Sequence, residues 1–368
     1  MYLKNITLLN FKNYLQSEIA FSQKVNCFFG KNGSGKTNLL DAIYYLSFCK
    51  SNFNSIDTEN INHDNDFFVI QGNYSIKDED YNIYCGVKKD YRKQFKKNKK
   101  EYQKLSEHIG LIPLVMISPE DIVLISGGSD ERRKYIDSVI SQYDKNYLEL
   151  LINYQKALKH RNKLLKDIFE VKHFDILSIE IWNEQLSTYG TKIFEIRKEF
   201  IKSLIPVFQK YYNYIAENAE LISLNYISQL FEINFLDGLK KTFEKDRILG
   251  YTTFGIHKDD LELNLKGYNI KKIGSQGQQK TYLVALKLAQ FDFIKNLKNA
   301  KPILLLDDIF DKLDPDRVKQ IIKLVADDEF GQIFITDKSE ISLMKIFIDN
   351  NIEHKVFLVN DGNISESV

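Results

Sequence analysis

Cysteine is scarce in this chain. Cys27, Cys49 and Cys85 are scattered over 368 residues, with no C-x-x-C pair and no spaced histidine partners. That spacing excludes a paired-cysteine zinc site and a disulfide framework, and it fits a reducing compartment. Long apolar runs are missing too: no stretch approaches the ~18–20 apolar residues of a membrane helix. Residues Met1–Asn10 carry a lysine and two asparagines and read as a strand rather than as the apolar centre of a secretion signal. The expectation is a soluble cytoplasmic protein with no membrane partner. Excess charge is also absent. Lys and Arg number 51 against 50 Asp and Glu, a net charge of +1, so any contact with nucleic acid must rest on local patches. There is no internal repeat, and the apolar spacing sustains no heptad over many turns, which argues against a long coiled coil.

What is present suits a large α/β core with a second lobe. Val25–Phe29 reads as a buried strand, and Lys36–Phe48 has helical periodicity through Leu39, Leu40, Ile43, Tyr44 and Leu46. Strand-like pieces follow at Phe67–Gly72 and Tyr81–Val87. From about Asp130 to Glu220 turn residues thin out, and helix-length segments such as Tyr147–Phe169 and Ile176–Ile201 dominate. Strands return at Asp260–Leu265, Ile303–Leu306 and Gln332–Thr336. The organisation expected is a split domain, 1–129 and 231–368, carrying a helical lobe at 130–230.

The strongest pattern is Gly30-Lys31-Asn32-Gly33-Ser34-Gly35-Lys36-Thr37-Asn38, lying between that strand and that helix. It matches the P-loop. Its glycines let backbone N–H groups face a β-phosphate where a side chain would collide, and the following helix adds the positive end of its dipole. Lys36 supplies charge to the β and γ phosphates, and Thr37 offers a hydroxyl to Mg²⁺. ATP with Mg²⁺ is the cofactor expected.

Ile303–Leu306 followed by Asp307-Asp308 reads as a buried parallel strand ending in two carboxylates. By resemblance to ABC ATPases, Asp307 suits the Mg²⁺ and Asp308 a water-polarising role, although two acids after a strand also suit a helix N-cap. Asp311-Lys312-Leu313-Asp314 follows, matching the S-x-L-D turn through which ABC subunits touch. Ser275-Gln276-Gly277-Gln278-Gln279-Lys280 resembles the ABC signature L-S-G-G-Q and opens an apolar helix. A polar loop with an N-cap serine fits the same residues. In ABC proteins this motif reaches the γ-phosphate on the opposite subunit, so it predicts a homodimer holding two ATPs. The fold class expected is α/β: an ABC-type P-loop ATPase head with an inserted helical lobe and no long coiled coil. The catalytic set expected is Lys36, Asp307 and Asp308.

Further residues resemble the RecF family along nearly the whole chain. Phe11-Lys12-Asn13-Tyr14 resembles its F-R-N-Y, and Gly30–Ile43 its G-x-N-G-x-G-K-T-N-L-L-E-A-I. Ser118-Pro119-Glu120-Asp121 resembles S-P-E-D, and Glu131-Arg132-Arg133 to Asp137 resembles E-R-R-x-x-x-D. Trp182, Gln185, Leu186, Gly190 and Arg197 fall in register, and Gly255–Asp260 resembles G-P-H-R-D-D, which also suits a loop held by its own charges. The resemblance implies an ATP-dependent dimeric clamp on gapped DNA near duplex–single-strand junctions. It implies work with RecR and RecO to load RecA in recombinational repair, support for replication restart and the SOS response, and slow, DNA-stimulated ATP hydrolysis used as a switch. Four positions depart from the pattern: Asp41 stands for glutamate, and Asn54 lies near an arginine position. The Ser118 region replaces a glutamine loop, and Thr336-Asp337 replaces a threonine–histidine switch.

DNA contacts are expected in the segment that holds Lys88, Lys89, Arg92, Lys93, Lys96, Lys97, Lys99 and Lys100, with Asn98 at a hairpin tip. If two copies neutralise ~6 phosphates, the log–log salt slope is about −5. A solvated charged hairpin is the alternative, and Tyr91 and Phe95 suit either base stacking or hairpin packing. No base-reading motif is present, so recognition of backbone and shape is expected. A P-loop small-molecule kinase would leave Ser275–Lys280 without a role, a transporter-type ABC subunit would not need the helical lobe, and a structural SMC-type head would need long heptads.

Overall fold

Parallel strands buried on both faces read as continuous apolar runs, and two of them, VNCFF and ILLLD, lie in the sheet of the first compact unit. The computed structural model describes the chain except residues 172–175, 218–219, 311–312, 314, 327–328, 339–346, 348–351 and 368. Of residues 168–171, 176–177 and 326 it describes the backbone alone. Two compact units are formed. The first comprises Met1–Asp121, Tyr211–Asn218 and Ser275–Val368, and the second comprises Ile122–Lys210 and Ala219–Gly274.

The first unit holds two sheets. Strands β1 (Tyr2–Phe11), β2 (Tyr14–Ala20), β4 (Phe67–Ile76), β5 (Glu79–Lys88), β6 (Gln94–Lys97) and β7 (Lys100–Glu101) form an antiparallel sheet in the order β2-β1-β4-β5-β6-β7. Strands β3 (Val25–Phe29), β8 (Leu114–Ile117), β12 (Ile303–Asp307), β13 (Ile333–Asp337), β14 (His354–Asn360) and β15 (Asn363–Ser367) form the other, in the order β15-β14-β3-β13-β12-β8. All its pairings are parallel except that of the terminal hairpin β14–β15. Helix α1 (Lys36–Phe48) packs against strands of both sheets, which is why it is apolar nearly all round. Phe11, Tyr45 and Phe68 meet edge to face on one side of this core, and Phe28 stacks between Phe334 and Phe357 on the other. Helices α8 (Gln276–Lys298) and α9 (Pro315–Ala326) complete the unit.

The second unit contains α2 (Val123–Ser126), α3 (Ser129–Tyr143), α4 (Lys145–Val171), most of α5 (Ile176–Ala216), α6 (Phe235–Leu249) and α7 (Ile270–Ile273). It also contains a sheet in the order β11 (Tyr268–Asn269), β10 (Asp260–Leu265), β9 (Ile222–Ile227). Helices α4 and α5 meet where Leu165 packs with Ile179 and the His160 ring stacks on Trp182 at 4.5 Å. At Gly190 the α5 backbone lies so near α6 that a Cβ would sit 2.2 Å from the Phe235 ring. The lobe therefore departs from the expected 130–230 boundaries. A strand at 222–227 satisfies its backbone by pairing with β10 from Asp260↔Ile227 to Leu265↔Ile222, which keeps residues up to Gly274 in this unit.

Candidate functional site

The site of the first unit grows from the loop between β3 and α1. Gly33 and Gly35 take φ +80° and +117°, a region costly for side chains. At Gly30 a Cβ would lie 2.2 Å from the Val359 carbonyl, and at Gly35 one would lie 2.6 Å from the Asn13 amide. Helix α1 starts at Gly35 with no side-chain cap, so its first-turn N–H groups face the loop. Among the described residues, the buried Ser34 hydroxyl finds no hydrogen-bond partner. A glycine-lined cradle, uncapped helical N–H groups and an orphan hydroxyl together fit a phosphate group. The ammonium of Lys36 donates to the carbonyls of Gly30 (2.6 Å) and Lys31 (3.0 Å). Burial holds its pKa below the ordinary lysine value, against the opposing pull of Asp308, Asp307 and Asp337. Lys31 and Asn32 line an open hollow of about 560 Å³ with Phe29, Gly30, Lys338 and Leu358.

Strand order brings Asp307 to this loop, because β13 alone separates β12 from β3. Asp307 Oδ1 accepts from the hydroxyls of Thr37 (3.0 Å) and Thr336 (2.7 Å). Its carboxyl is pushed above the usual range by burial, against those two hydrogen bonds. Asp308 turns out of the strand at φ +46°, and its N–H donates to the Thr336 hydroxyl at 3.0 Å. Its carboxylate lies 3.7 Å from the Lys338 ammonium. Glu120 is raised by burial and by the nearby carboxylates Asp121 and Asp307, so it stands within the field of the pair.

Three groups that hold this site carried no assigned role in the sequence. Asn13 donates to the Ser34 carbonyl at 3.0 Å, and the Tyr14 hydroxyl donates to that of Gly35 at 3.0 Å. The Phe11–Tyr14 turn therefore clamps the loop from the antiparallel sheet. Asn38 donates to Asn13 at 2.8 Å, so its side chain supports the clamp. The terminal hairpin adds a bond from Gly362 N–H to the Ser34 carbonyl, and its Asp361-Gly362 turn is the signal from which that hairpin is legible. Thr336, singled out only as a departure, anchors both aspartates.

Ser275 and Gln278 form a capping box at the start of α8: the serine hydroxyl accepts from Gln278 N–H, and Gln278 accepts from Ser275 N–H. The N-cap reading of Ser275 thus holds. Gln276 and Gly277 are the first residues of the helix, and no described hydrogen bond joins Ser275 or Gly277 to the phosphate loop. Asp311, Lys312 and Asp314 lie outside the described residues. In the basic hairpin, Asn98 and Lys99 take positive φ at the tip between β6 and β7. Lys88, Lys96 and Lys97 lie over the rings of Tyr91, Tyr84 and Tyr81, and Lys89 pairs with Asp66. Arg92 donates to the Gln103 carbonyl, and Lys99 and Lys100 are exposed. Lys93 departs from the expected patch. It turns inward to Asp57 (2.7 Å) and the Cys49 carbonyl (2.7 Å), because the Tyr45 hydroxyl of α1 and the carbonyl of its C-cap Cys49 offer it acceptors. Phe95 is buried in the core, so of the two aromatics only Tyr91 is exposed.

In the second unit the E-R-R-x-x-x-D and G-x-H-x-D-D segments meet. Arg132 pairs in a fork with Asp260, and Arg133 donates to the Asp259 carbonyl. Buried Arg197 bridges Asp137 (2.8 Å) and Asp259 (2.8 Å) and also donates to the Ile256 carbonyl. His257 shares a hydrogen bond with the Tyr154 hydroxyl at 2.7 Å. These motifs build a buried ion network, which agrees with the plainer reading of Gly255–Asp260.

Fold and site together define a P-loop ATPase head, and the RecF/RecN/SMC N-terminal domain family matches residues 2–362. An Smc head bound to the C-winged helix domain of ScpA shares this fold at TM-score 0.59 and 17% identity, over 100% of this chain and 97% of that one. The chain belongs to the RecF family of DNA replication and repair proteins. It is 55% identical to the Bacteroides thetaiotaomicron DNA replication and repair protein RecF, over 100% of this chain and 99% of that one. It is 49% identical to that of Flavobacterium johnsoniae, over 97% and 99%. The recombination mediator protein RecF of the RecFOR pathway, solved as RecF-ATP, superposes at TM-score 0.89 with 32% identity, over 100% of this chain and 98% of that chain. Among the described residues, no helix is long and apolar enough to cross a membrane.

Proposed function

We propose that this chain is a cytoplasmic, ATP-dependent homodimeric DNA clamp of recombinational repair. The observation that carries the reading is the cluster at the end of β3: a glycine cradle, the orphan Ser34 hydroxyl, Lys36, and Thr37 bonded to Asp307. In this reading the loop N–H groups and Lys36 bind the β and γ phosphates of ATP. Thr37 and Asp307 would hold Mg²⁺, which would supply positive charge to neutralise the phosphates. Asp308, fixed by its N–H bond to Thr336, accepts the proton of the attacking water. Ser275, Gln276, Gly277 and Gln278 open α8; with the N–H groups of Ser275 and Gln278 closed into the capping box, those of Gln276 and Gly277 in the first turn suit the γ-phosphate of a second copy, so ATP links two subunits. Slow ATP hydrolysis then releases DNA. Binding is to gapped, duplex and single-stranded DNA without sequence specificity, and the chain helps load RecA with RecR and RecO in replication restart and the SOS response. The name and pathway of its relatives support that role.

The test is fluorescence anisotropy on gapped and plain duplex, with a slowly hydrolysed ATP analogue or with ADP, and light scattering for mass. The analogue should drive both dimerisation and binding, and Lys36→Ala and Ser275→Arg should lose both. Nucleotide binding with no response of mass or DNA affinity rejects the clamp.

A further inference from the structure

Lysines 156, 159, 163 and 166 of α4 recur at intervals of three, four and three, which sets them along one face of a helix. All four are exposed and line a hollow of about 890 Å³. Among the described residues none of them makes an ion pair or a hydrogen bond. Lys4, Lys89, Lys134 and Lys198, by contrast, each hold a carboxylate. Like charges at these spacings repel and lower the stability of the helix that carries them, a cost that a bound anion relieves. His160 stands beside the row, stacked at 9° on Trp182, the one tryptophan of the chain.

We infer that this face of α4 docks the sugar–phosphate backbone of nucleic acid. The row is about 15 Å long at 1.5 Å per residue. One strand of duplex carries a charge about every 3.4 Å of axis, so the row reaches several successive phosphates. A periodic row of cations matches a periodic polyanion better than it matches an acidic peptide of irregular charge. The hollow beside it gives the strand a concave seat. With a net charge of +1 on the whole chain, attraction must come from such a concentration of charge. The inference rests on the DNA-clamp reading and adds a surface in the second unit to the β5–β7 hairpin.

The test uses the full chain with the ATP analogue and labelled gapped duplex over a range of salt. The variant replaces all four lysines by glutamine, which keeps helix propensity and removes charge; a four-arginine variant keeps the charge. A third variant, Lys96→Gln with Lys97→Gln, Lys99→Gln and Lys100→Gln, reports the hairpin. The glutamine row should lose affinity at least ~10-fold, with a salt slope shallower by about 2–4, while the arginine row binds normally. Trp182 emission should change on adding DNA to the wild type and stay constant in the glutamine row. Unchanged affinity and slope in that variant overturn this inference and leave the clamp reading standing. A wild type that binds no DNA in any nucleotide state overturns both. Polyglutamate that binds the wild-type row as tightly as DNA does assigns the face to an acidic protein instead.

Discussion

Asp307 concentrates the conflict between stability and chemistry. Burial pushes its carboxyl up, so folding favours its protonated form more than the unfolded chain does. Its contribution to stability is full below the unfolded value of 3.8 and is lost as pH rises through the higher folded value. Asp307→Asn should therefore raise the melting temperature at neutral pH by a few degrees while abolishing ATP hydrolysis; calorimetry and a phosphate-release assay check the two effects. Two histidines work in the opposite sense. Burial lowers His108 and His257 from 6.5 to about 4. A folded value below the unfolded one gives stability that is present above 6.5 and is lost as pH falls toward 4. Each contributes on the order of 3 kcal/mol. Urea unfolding between those pH values should show a steep loss, and His257→Gln should flatten its share of the slope.

At the scale of elements, the phosphate loop is held from outside itself. Asn13 and Tyr14 belong to the turn between β1 and β2, and Gly362 to the turn between β14 and β15. Asn13→Ala removes a hydrogen bond to the loop and another to Asn38, and should weaken nucleotide binding roughly 5–30-fold with the fold intact; titration calorimetry with the ATP analogue measures it. The strand and helix that flank the loop were legible residue for residue, Val25–Phe29 and Lys36–Phe48, because an apolar run and a helical period are local properties. The clamp was not, because its bonds join residues 21 and more apart. The inward turn of Lys93 was not legible for the same reason: its acceptors, Asp57 and Cys49, lie far back in sequence.

At the scale of the whole molecule, two units carry separate stabilising centres. The aromatic core around α1 organises the first. The second depends on Arg197, whose removal would leave Asp137 and Asp259 without their buried partner. Arg197→Met should cost about 3–5 kcal/mol, seen as hydrogen-exchange protection lost in 122–210 and 219–274 but kept around β3 and β12. At this scale too, the ATP analogue should double the mass of the wild type, and Ser275→Arg should keep it monomeric.

The sequence by itself determined the phosphate loop, the buried strand ending in Asp307-Asp308, the helix opened by Ser275 and the family to which the chain belongs. Each depends on residue type and short spacing, which fix local backbone geometry directly. Tertiary structure decided the rest. Pairing of β9 with β10 carried residues 231–274 into the second unit, and strand order set Thr336 between the two aspartates and their loop. Burial turned Lys93 and Phe95 inward while leaving the lysines of α4 facing outward. A side chain's charge is written in its codon, but its partner is chosen by which backbone groups the fold brings within about 3 Å.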